Sequence, residues 1–249
     1  MSKPELLAPA GGEEALAAAV ENGADAVYLG GPMLNARRSA QNFSYAQLEA
    51  GIKYAHLHGC RVLVTVNTLA ADSEIKAALN YLADLSQMGA DAIITQDLGL
   101  ARLARQHLPE LPLHASTQMT IHNLAGVRCL QKLGFKRIVL AREMSLEQIK
   151  NIYQQTGAEL EVFVHGALCV GYSGQCLFSS LIGGRSGNRG RCAQPCRMAY
   201  QLLNSQGREL KTAGTYLLST RDLNLSACLP ELIAAGIASF KIEGRMKRP

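Results

Sequence analysis

The sequence predicts an α/β fold, specifically a (β/α)8 TIM-like barrel that lacks its closing helix. Two observations predict it: short runs rich in Val, Ile and Leu alternate with amphipathic helical segments, and four helix exits repeat one pattern. The apolar runs do not alternate strictly with polar residues, which is typical of parallel strands buried on both faces. An open, doubly wound sheet is the structural alternative.

The elements are predicted in strict order along the first part of the chain. The predicted strands are Leu6–Ala10, Ala26–Gly30, Val62–Asn67, Ala92–Asp97, Leu113–Thr117, Arg137–Ala141, Leu160–His165 and, near the end, Ser239–Glu243. The predicted helices between them are Glu13–Asn22, Tyr45–His58, Glu74–Met88, Gly99–His107, Leu124–Leu133 and Leu146–Gln155. Two of these helices begin with a capping box, at Ser44 and at Ser145.

The four repeated helix exits place a glycine between a helix and the next strand, at Gly23, Gly89, Gly134 and Gly236. A glycine just beyond a helix can adopt the left-handed conformation that ends it. With the strand at Ser239–Glu243 the count reaches the number of strands that closes a barrel.

The repeat breaks at a Gly-, Ser-, Arg- and Cys-rich insertion over residues 167–223. Within it we expect a hairpin of Met198–Asn204 with Glu209–Ala213, followed by an extended Tyr216–Thr220. We expect residues 1–249 to form a single barrel domain, in which a long irregular loop is typically functional. The chain ends shortly after the last strand, as a fragment of a longer protein or a barrel without its eighth helix would.

The composition excludes several classes of protein. The chain has 249 residues, 48% of them hydrophobic and 18% charged, and a formal net charge of +5. No apolar run approaches the roughly 18 residues that a membrane span needs, so we expect no membrane partner. The N-terminus has no signal-peptide pattern, which predicts a cytoplasmic location.

Four of the seven cysteines lie close together in the insertion, at Cys169, Cys176, Cys192 and Cys196. Structural disulfides are rare in the cytoplasm, so clustered cysteines there indicate metal, redox or catalytic chemistry. Their wide, uneven spacing on a glycine-rich backbone favours a 4Fe–4S cluster, and a structural zinc ion is the alternative. The remaining three are predicted to pack as small hydrophobic residues, although Cys228 is an alternative fourth ligand.

Polar residues cluster at the carboxyl ends of the predicted strands, where the active sites of parallel barrels lie. Three are candidate proton carriers for catalysis: His114, Glu143 and His165. Seven more are candidate substrate-binding residues: Asn35, Arg37, Asn67, Gln118, Arg142, Glu243 and Arg245. His165 also precedes Cys169 by four residues, so a Cys–His nucleophile pair is an alternative use of both.

The insertion is basic, because no Asp or Glu occurs between Val162 and Arg208. Its arginines include three further candidate substrate-binding residues, Arg185, Arg189 and Arg191. A local positive field beside a polar pocket attracts RNA, or a small metabolite with several negative charges.

Several stretches resemble one known family. The stretch Glu161–Cys176, EVFVHGALCVGYSGQC, resembles the signature of the peptidase U32 family. Supporting stretches are ELLAPAG from Glu5, HASTQ from His114, GRSGNRGRCAQPCR from Gly184 and FKIEGR from Phe240. The resemblance covers essentially the whole chain and is to the N-terminal catalytic part of such proteins, with their C-terminal region absent.

The resemblance implies more than the peptidase name of the family. Members similar to this chain are iron–sulfur proteins that hydroxylate a tRNA uridine or a cytidine of 23S rRNA, with prephenate implicated as co-substrate. Others serve ubiquinone hydroxylation. The resemblance places 4Fe–4S ligands at Cys169, Cys176, Cys192 and Cys196, and the presence of Cys196 favours the RNA-hydroxylating branch over the ubiquinone branch.

Three functions therefore remain open. The first is an RNA hydroxylase that binds RNA through the arginine-rich insertion and a small carboxylate through Arg37 or Arg142. Iron–sulfur delivery or electron-donor proteins are its expected further partners. The second is a collagenase-like protease that uses Cys169 and His165. The third is an RNA-binding module stabilised by zinc, which leaves the polar strand ends without a role.

Overall fold

The computed structural model describes residues 3–248 and contains a closed barrel of eight parallel strands surrounded by helices. The barrel strands are β1 (Glu5–Ala10), β2 (Ala26–Gly30), β3 (Arg61–Val66), β4 (Ala92–Thr95), β5 (Leu113–Ala115), β6 (Arg137–Val139), β7 (Glu159–Gly166) and β9 (Ser239–Ile242). Strand β9 pairs with both β1 and β7, which closes the barrel. The predicted barrel is confirmed, and the open sheet is excluded.

The six predicted helices form, with ends that differ by at most two residues from the prediction, and two shorter helices lie later in the chain. They are α1 (Glu13–Glu21), α2 (Tyr45–Leu57), α3 (Asp72–Gln87), α4 (Leu98–His107), α5 (Leu124–Lys132), α6 (Leu146–Thr156), α7 (Phe178–Gly183) and α8 (Leu229–Ala234). The capping boxes at Ser44 and Ser145 both form. Between residues 3 and 248 no helix follows β9, and none is long and apolar enough to cross a membrane.

The four helix-exit glycines all adopt the predicted left-handed backbone. The φ angles of Gly23, Gly89, Gly134 and Gly236 lie between +82° and +91°. In this region a Cβ atom clashes with the backbone, so glycine is the residue that permits the sharp turn from helix to strand.

Side chains inside the barrel follow the two-residue period of its strands. A small apolar cluster fills the middle of the barrel and is separate from the larger core between strands and helices: Leu7, Ala26, Tyr28, Leu63, Ala92 and Ile94. Alternate residues therefore face the barrel interior, while their neighbours pack outward against the helices.

Ion pairs close the amino-terminal end of the barrel interior. Glu5, Arg137 and Glu159 each begin a strand, and Arg137 binds Glu5 at 2.5 Å and Glu159 at 2.6 Å. Arg137 also lies 3.4 Å from the buried Glu161, which binds Lys241 at 2.9 Å. This network leaves the carboxyl-terminal end of the barrel as its open mouth.

The insertion after β7 is irregular but not featureless. It contains α7, two short 3-10 turns (Gly187–Arg189 and Pro195–Arg197) and the two-residue strand β8 (Leu223–Asn224), which runs antiparallel to β7. The predicted hairpin is reduced to one bridge between Leu203 and Glu209. The expectation of an extended Tyr216–Thr220 is wrong, because the amide of Ser219 donates to the carbonyl of Tyr216 and forms a turn.

Candidate functional site

A cavity lies at the mouth of the barrel, between the carboxyl ends of the strands and the insertion that covers them. Its volume is about 1060 Å³, including the space at its opening. Ten of the seventeen predicted site residues line it: Arg37, Asn67, Gln118, Arg142, Cys169, Cys176, Cys192, Cys196, Glu243 and Arg245. The barrel and its insertion thus bring together residues that are far apart in the sequence.

All four cysteines of the insertion face this cavity. Burial raises the pKa of the Cys196 thiol, the neighbouring Arg197 guanidinium opposes this, and the other three cysteines raise the pKa further. The amide of Gln194 donates to the Cys192 sulfur at 3.4 Å. The donor set is therefore four thiols around one cavity wall, which is the ligand chemistry of zinc and of iron–sulfur clusters.

The two metal alternatives, a zinc ion and an iron–sulfur cluster, share this donor set. Among residues 3–248, no three His, Cys, Asp or Glu side chains are close enough together to hold a single metal ion. A zinc ion draws its sulfur ligands to about 2.3 Å from one centre. The four thiols are therefore not gathered around one metal centre in the described structure, and their donor chemistry fits a zinc ion and a four-iron cluster alike.

Arg142, a predicted substrate-binding residue, contacts the segment that carries Cys169 and is not free to bind an anion. Its Nη1 donates to the carbonyl of Ala167 at 3.0 Å, and its Nη2 lies 3.5 Å from the Cys169 sulfur. The guanidinium carbon lies 5.0 Å from the centre of the Phe163 ring. Arg142 therefore orients Cys169 and supplies a positive charge beside its sulfur.

Arg37 is paired as well. Its Nη2 lies 2.9 Å from Oε1 of Glu243, and both side chains line the cavity. The amide oxygen of Asn67 accepts from the backbone of Ala36 at 3.0 Å, which fixes the loop that carries Arg37. The Arg37–Glu243 pair contributes no net charge to the cavity.

Arg245 differs from the other two arginines, because no carboxylate within residues 3–248 forms an ion pair with it. It is 5% exposed, and its Nη1 donates to Asn35 at 2.7 Å and to Thr65 at 2.8 Å. Burial lowers its pKa to about 10. A buried cation held only by neutral groups is costly and favours the binding of an anion.

Sequence reasoning missed Lys241, which lies deeper in the same cavity. Its amine lies 2.9 Å from Glu161 and 4.3 Å from the centre of the Tyr28 ring. The sequence signal for Lys241 was the two-residue period of β9, which places Lys241 on the same face as the predicted Glu243.

The buried Oε1 of Gln118 has no hydrogen-bond partner in the described structure, which leaves an acceptor free at the cavity wall.

The three predicted proton carriers lie outside the cavity. His114 is buried in the barrel below it, and burial lowers its pKa well below the usual range, so the ring is neutral. Glu143 is exposed and accepts from the amide of Ser173. His165 is exposed because β7 has an irregularity between Phe163 and His165, which changes the side-chain alternation.

The predicted arginines of the insertion also lie outside the cavity. Arg185 and Arg191 are exposed, and Arg185 donates to the backbone of Arg191 at 3.1 Å. Arg189 instead forms a two-point ion pair with Glu74 on α3, at 2.7 and 2.9 Å. Its charge is therefore partly neutralised, while those of Arg185 and Arg191 face solvent.

The fold and the site define the class of protein: a TIM-like α/β barrel whose mouth is lined by four thiols. Comparison with known proteins gives the family. The chain matches peptidase family U32 over residues 11–249 and belongs to that family.

Two curated relatives and one solved structure illustrate the match. The chain is 46% identical to the 23S rRNA 5-hydroxycytidine C2501 synthase of Escherichia coli (98% of this chain, 36% of the relative). It is 37% identical to tRNA hydroxylation protein P1 of Bacillus subtilis (98% of this chain, 59% of the relative). The chain thus spans between about a third and three fifths of these relatives. The U32 peptidase Mk0906 shares the fold, with a TM-score of 0.59, 13% identity and coverage of 97% of this chain and 93% of that one.

Proposed function

We propose that this chain forms the iron–sulfur barrel of a U32 protein that hydroxylates a pyrimidine in rRNA or tRNA, with a small carboxylate such as prephenate as co-substrate. One observation carries the proposal: the four cysteines line a single cavity together with the unpaired cation Arg245. The names of the two curated relatives, an rRNA hydroxycytidine synthase and a tRNA hydroxylation protein, support the choice of reaction.

In this proposal Cys169, Cys176, Cys192 and Cys196 hold a 4Fe–4S cluster. Such a cluster supplies electron transfer when bound. Arg142 and the amide of Gln194 already donate toward two of the sulfurs, and hydrogen bonds to cluster sulfurs tune the reduction potential. The protein's part is to position the thiols at the mouth of the barrel.

The small carboxylate binds at Arg245 rather than at Arg37 or Arg142. Arg37 is neutralised by Glu243, and Arg142 is committed to the Cys169 segment, whereas Arg245 has only neutral partners. A carboxylate at Arg245 provides the counter-charge that the buried guanidinium lacks. The free acceptor on Gln118 is suited to a hydroxyl or amide of the same ligand.

RNA approaches over the rim of the cavity. The exposed Arg185 and Arg191 belong to a stretch without acidic residues, and phosphate contacts of this kind supply affinity without sequence preference. Tyr172 lines the cavity and is 67% exposed, so its ring is available to stack on an unpaired base. We propose a cytoplasmic protein that receives its cluster and electrons from partner proteins.

A protease is the second candidate function, suggested by the family name. It requires a base beside Cys169, and the sequence offers His165 for this role. The exposed His165 is not among the residues that line the cavity with Cys169, whose sulfur contacts Arg142 instead. The geometry therefore favours thiols as ligands over a thiol as nucleophile.

The cluster is tested by purifying the chain without oxygen and measuring iron, sulfide and visible absorption. We expect a brown protein whose absorption is lost in Cys176→Ala and kept in Cys129→Ala, a control because Cys129 is exposed on α5. A colourless protein with stoichiometric zinc would refute the cluster. Comparing Cys196→Ala with these variants tests whether Cys196 is a ligand, as the RNA branch requires.

The reaction is tested by mass spectrometry of nucleosides from a strain that lacks the gene. We expect one hydroxylated pyrimidine to disappear from rRNA or tRNA, and to return with the wild-type gene but not with Cys176→Ala. Unchanged nucleosides together with cleavage of a peptide substrate would support the protease instead. A change in ubiquinone alone would indicate the ubiquinone pathway.

A further inference from the structure

Lys241 has the surroundings of a reactive amine, and the proposed function does not use it. The side chain is 3% exposed and lines the cavity from β9. Its amine lies 4.3 Å from the centre of the Tyr28 ring and 5.4 Å from that of Phe163, and both rings line the same cavity. The amine therefore sits at the base of a space large enough for a small organic ligand.

The charges around Lys241 make its proton easier to remove than that of a surface lysine. Burial lowers the pKa of Lys241, Glu161 opposes this, and the positive charges of Arg245 and Arg137 lower it further. Lysines that attack carbonyl groups are activated in this way, by desolvation and by a nearby cation. The carboxylate of Glu161, 2.9 Å from the amine, is in place to accept a proton.

A carboxylate-binding group lies nearby. The guanidinium carbon of Arg245 is 5.6 Å from the centre of the same Tyr28 ring over which Lys241 lies. Arg245 is the buried cation without an acidic partner described above. An amine and an unpaired guanidinium that line one cavity are complementary to a ligand that carries both a carbonyl group and a carboxylate.

We propose that Lys241 forms a Schiff base with an oxo acid whose carboxylate is bound by Arg245. The lysine nitrogen attacks the carbonyl carbon to form a C–N bond, and the carbonyl oxygen leaves as water. The ammonium and the carbonyl compound together give one iminium ion and one water, so charge and atoms balance without an oxidant or a reductant. Two protons pass from the nitrogen to the departing oxygen, and Glu161 relays each in turn: it accepts one from the ammonium and returns it to the oxygen, then does the same with one from the attached nitrogen.

The buried ion pairs accommodate this step. An iminium carries the same positive charge as the ammonium it replaces, so Glu161 keeps its counter-ion and the network with Arg137 stays balanced. Tyr28 does not compete for the proton, because its hydroxyl donates to the carbonyl of Ile242 at 2.9 Å. The inference shares Arg245 with the proposed function, but its amine chemistry needs neither RNA nor iron.

The test traps the imine on the wild-type chain. The chain is incubated with pyruvate or with phenylpyruvate in the presence of cyanoborohydride, digested, and mapped by peptide mass spectrometry. We expect the peptide with Lys241 to gain the mass of the acid less one oxygen atom, and to be modified well above the exposed Lys53 and Lys247. Modification of Lys241 no greater than that of these surface lysines with either acid would overturn the proposal.

Two variants separate the amine from the guanidinium. Lys241→Arg keeps the charge beside Glu161 but offers no amine, so we expect no adduct at this position and an unfolding transition close to that of the wild type. Arg245→Met removes the carboxylate contact, and we expect about tenfold less trapping of pyruvate with little change for acetone, which has no carboxylate. Equal losses with both ligands would refute the role of Arg245.

Discussion

The guanidinium of Arg197 donates to the backbone carbonyl of Leu168 at 2.7 Å, and so joins the two segments of the insertion that carry the cysteines. Leu168 directly precedes Cys169, and Arg197 directly follows Cys196. The same guanidinium donates to the Ser219 hydroxyl and the Thr220 carbonyl, each at 2.7 Å. Arg197 thus holds three irregular segments of the insertion together near the thiols through its own hydrogen bonds.

We expect Arg197→Ala to loosen the cysteine segments while the barrel stays folded. Hydrogen bonds from a charged group contribute about 2 kcal/mol each, and the carbonyls that Arg197 binds would be left without this donor. Hydrogen exchange should accelerate in residues 167–169 and 219–220, and less iron should be retained after anaerobic purification. Arg208→Ala is the matched control, since Arg208 is exposed and, among residues 3–248, its guanidinium donates only to the side chain of Gln206. Equal exchange in both variants would contradict the role of Arg197.

The pair of Arg189 and Glu74 attaches the insertion to α3 and gives a dependence on acid pH. Hydrogen bonds from Arg189 and from the amide of Ala71 lower the pKa of Glu74 to about 2, against an ordinary value of 4.5. A carboxylate with a lowered pKa stabilises the fold above its unfolded pKa, and this contribution is lost as the pH falls from about 4.5 toward 2.

We therefore expect Arg189→Ala to lower the unfolding free energy at pH 7 by less than about 1 kcal/mol, because the pair is partly exposed and screened by salt. The difference from the wild type should shrink at pH 3 and in high salt, as measured by urea unfolding. Arg185→Ala serves as control, because Arg185 binds a backbone carbonyl and not a carboxylate. A difference that is constant with pH would show that the ion pair is not its source.

The sequence was sufficient for the barrel and for the four cysteines of the insertion, but not for the barrel interior. It was also wrong for Cys129 and Cys228, which were expected to pack as small hydrophobic residues and are exposed. Glycines at the helix exits and the period of the helices are local signals, and local signals predicted the closed sheet. The prediction that His165 faces the site was wrong because one irregularity after Phe163 changes the alternation of side chains along β7. No residue type in the sequence marks this irregularity. Lys241 and Glu161 were missed because they are charged residues in strands that are otherwise mostly apolar, and their pairing across the barrel is visible only in three dimensions.

His114 makes a second pH-dependent contribution to the free energy of unfolding. Here the titrating group is a buried base, whereas Glu74 is an acid. Burial lowers its pKa well below 6.5, and its Nδ1 has no partner in the described structure. Below about pH 6.5 the unfolded chain binds a proton on this ring that the folded chain does not, so stability falls as the pH decreases. We expect His114→Gln to reduce the loss of unfolding free energy between pH 6.5 and pH 5, whereas His107→Gln, at an exposed position on α4, should not. An unchanged slope in His114→Gln would show that His114 is protonated in the fold.

Two of the helix-exit glycines form a matched pair that separates backbone strain from crowding. Gly23 and Gly236 have φ angles of +84° and +82°, but a Cβ at Gly23 would meet nothing within 4 Å, whereas at Gly236 it would lie 2.1 Å from the ring of Tyr153. We expect Gly23→Ala to cost about 1 kcal/mol, the strain of a left-handed alanine. Gly236→Ala should cost about 1–3 kcal/mol more, because the Tyr153 ring must move. Urea unfolding measures both, and Tyr153→Ala in the background of Gly236→Ala should remove the excess. Equal costs for the two glycines would mean that the ring of Tyr153 moves aside freely.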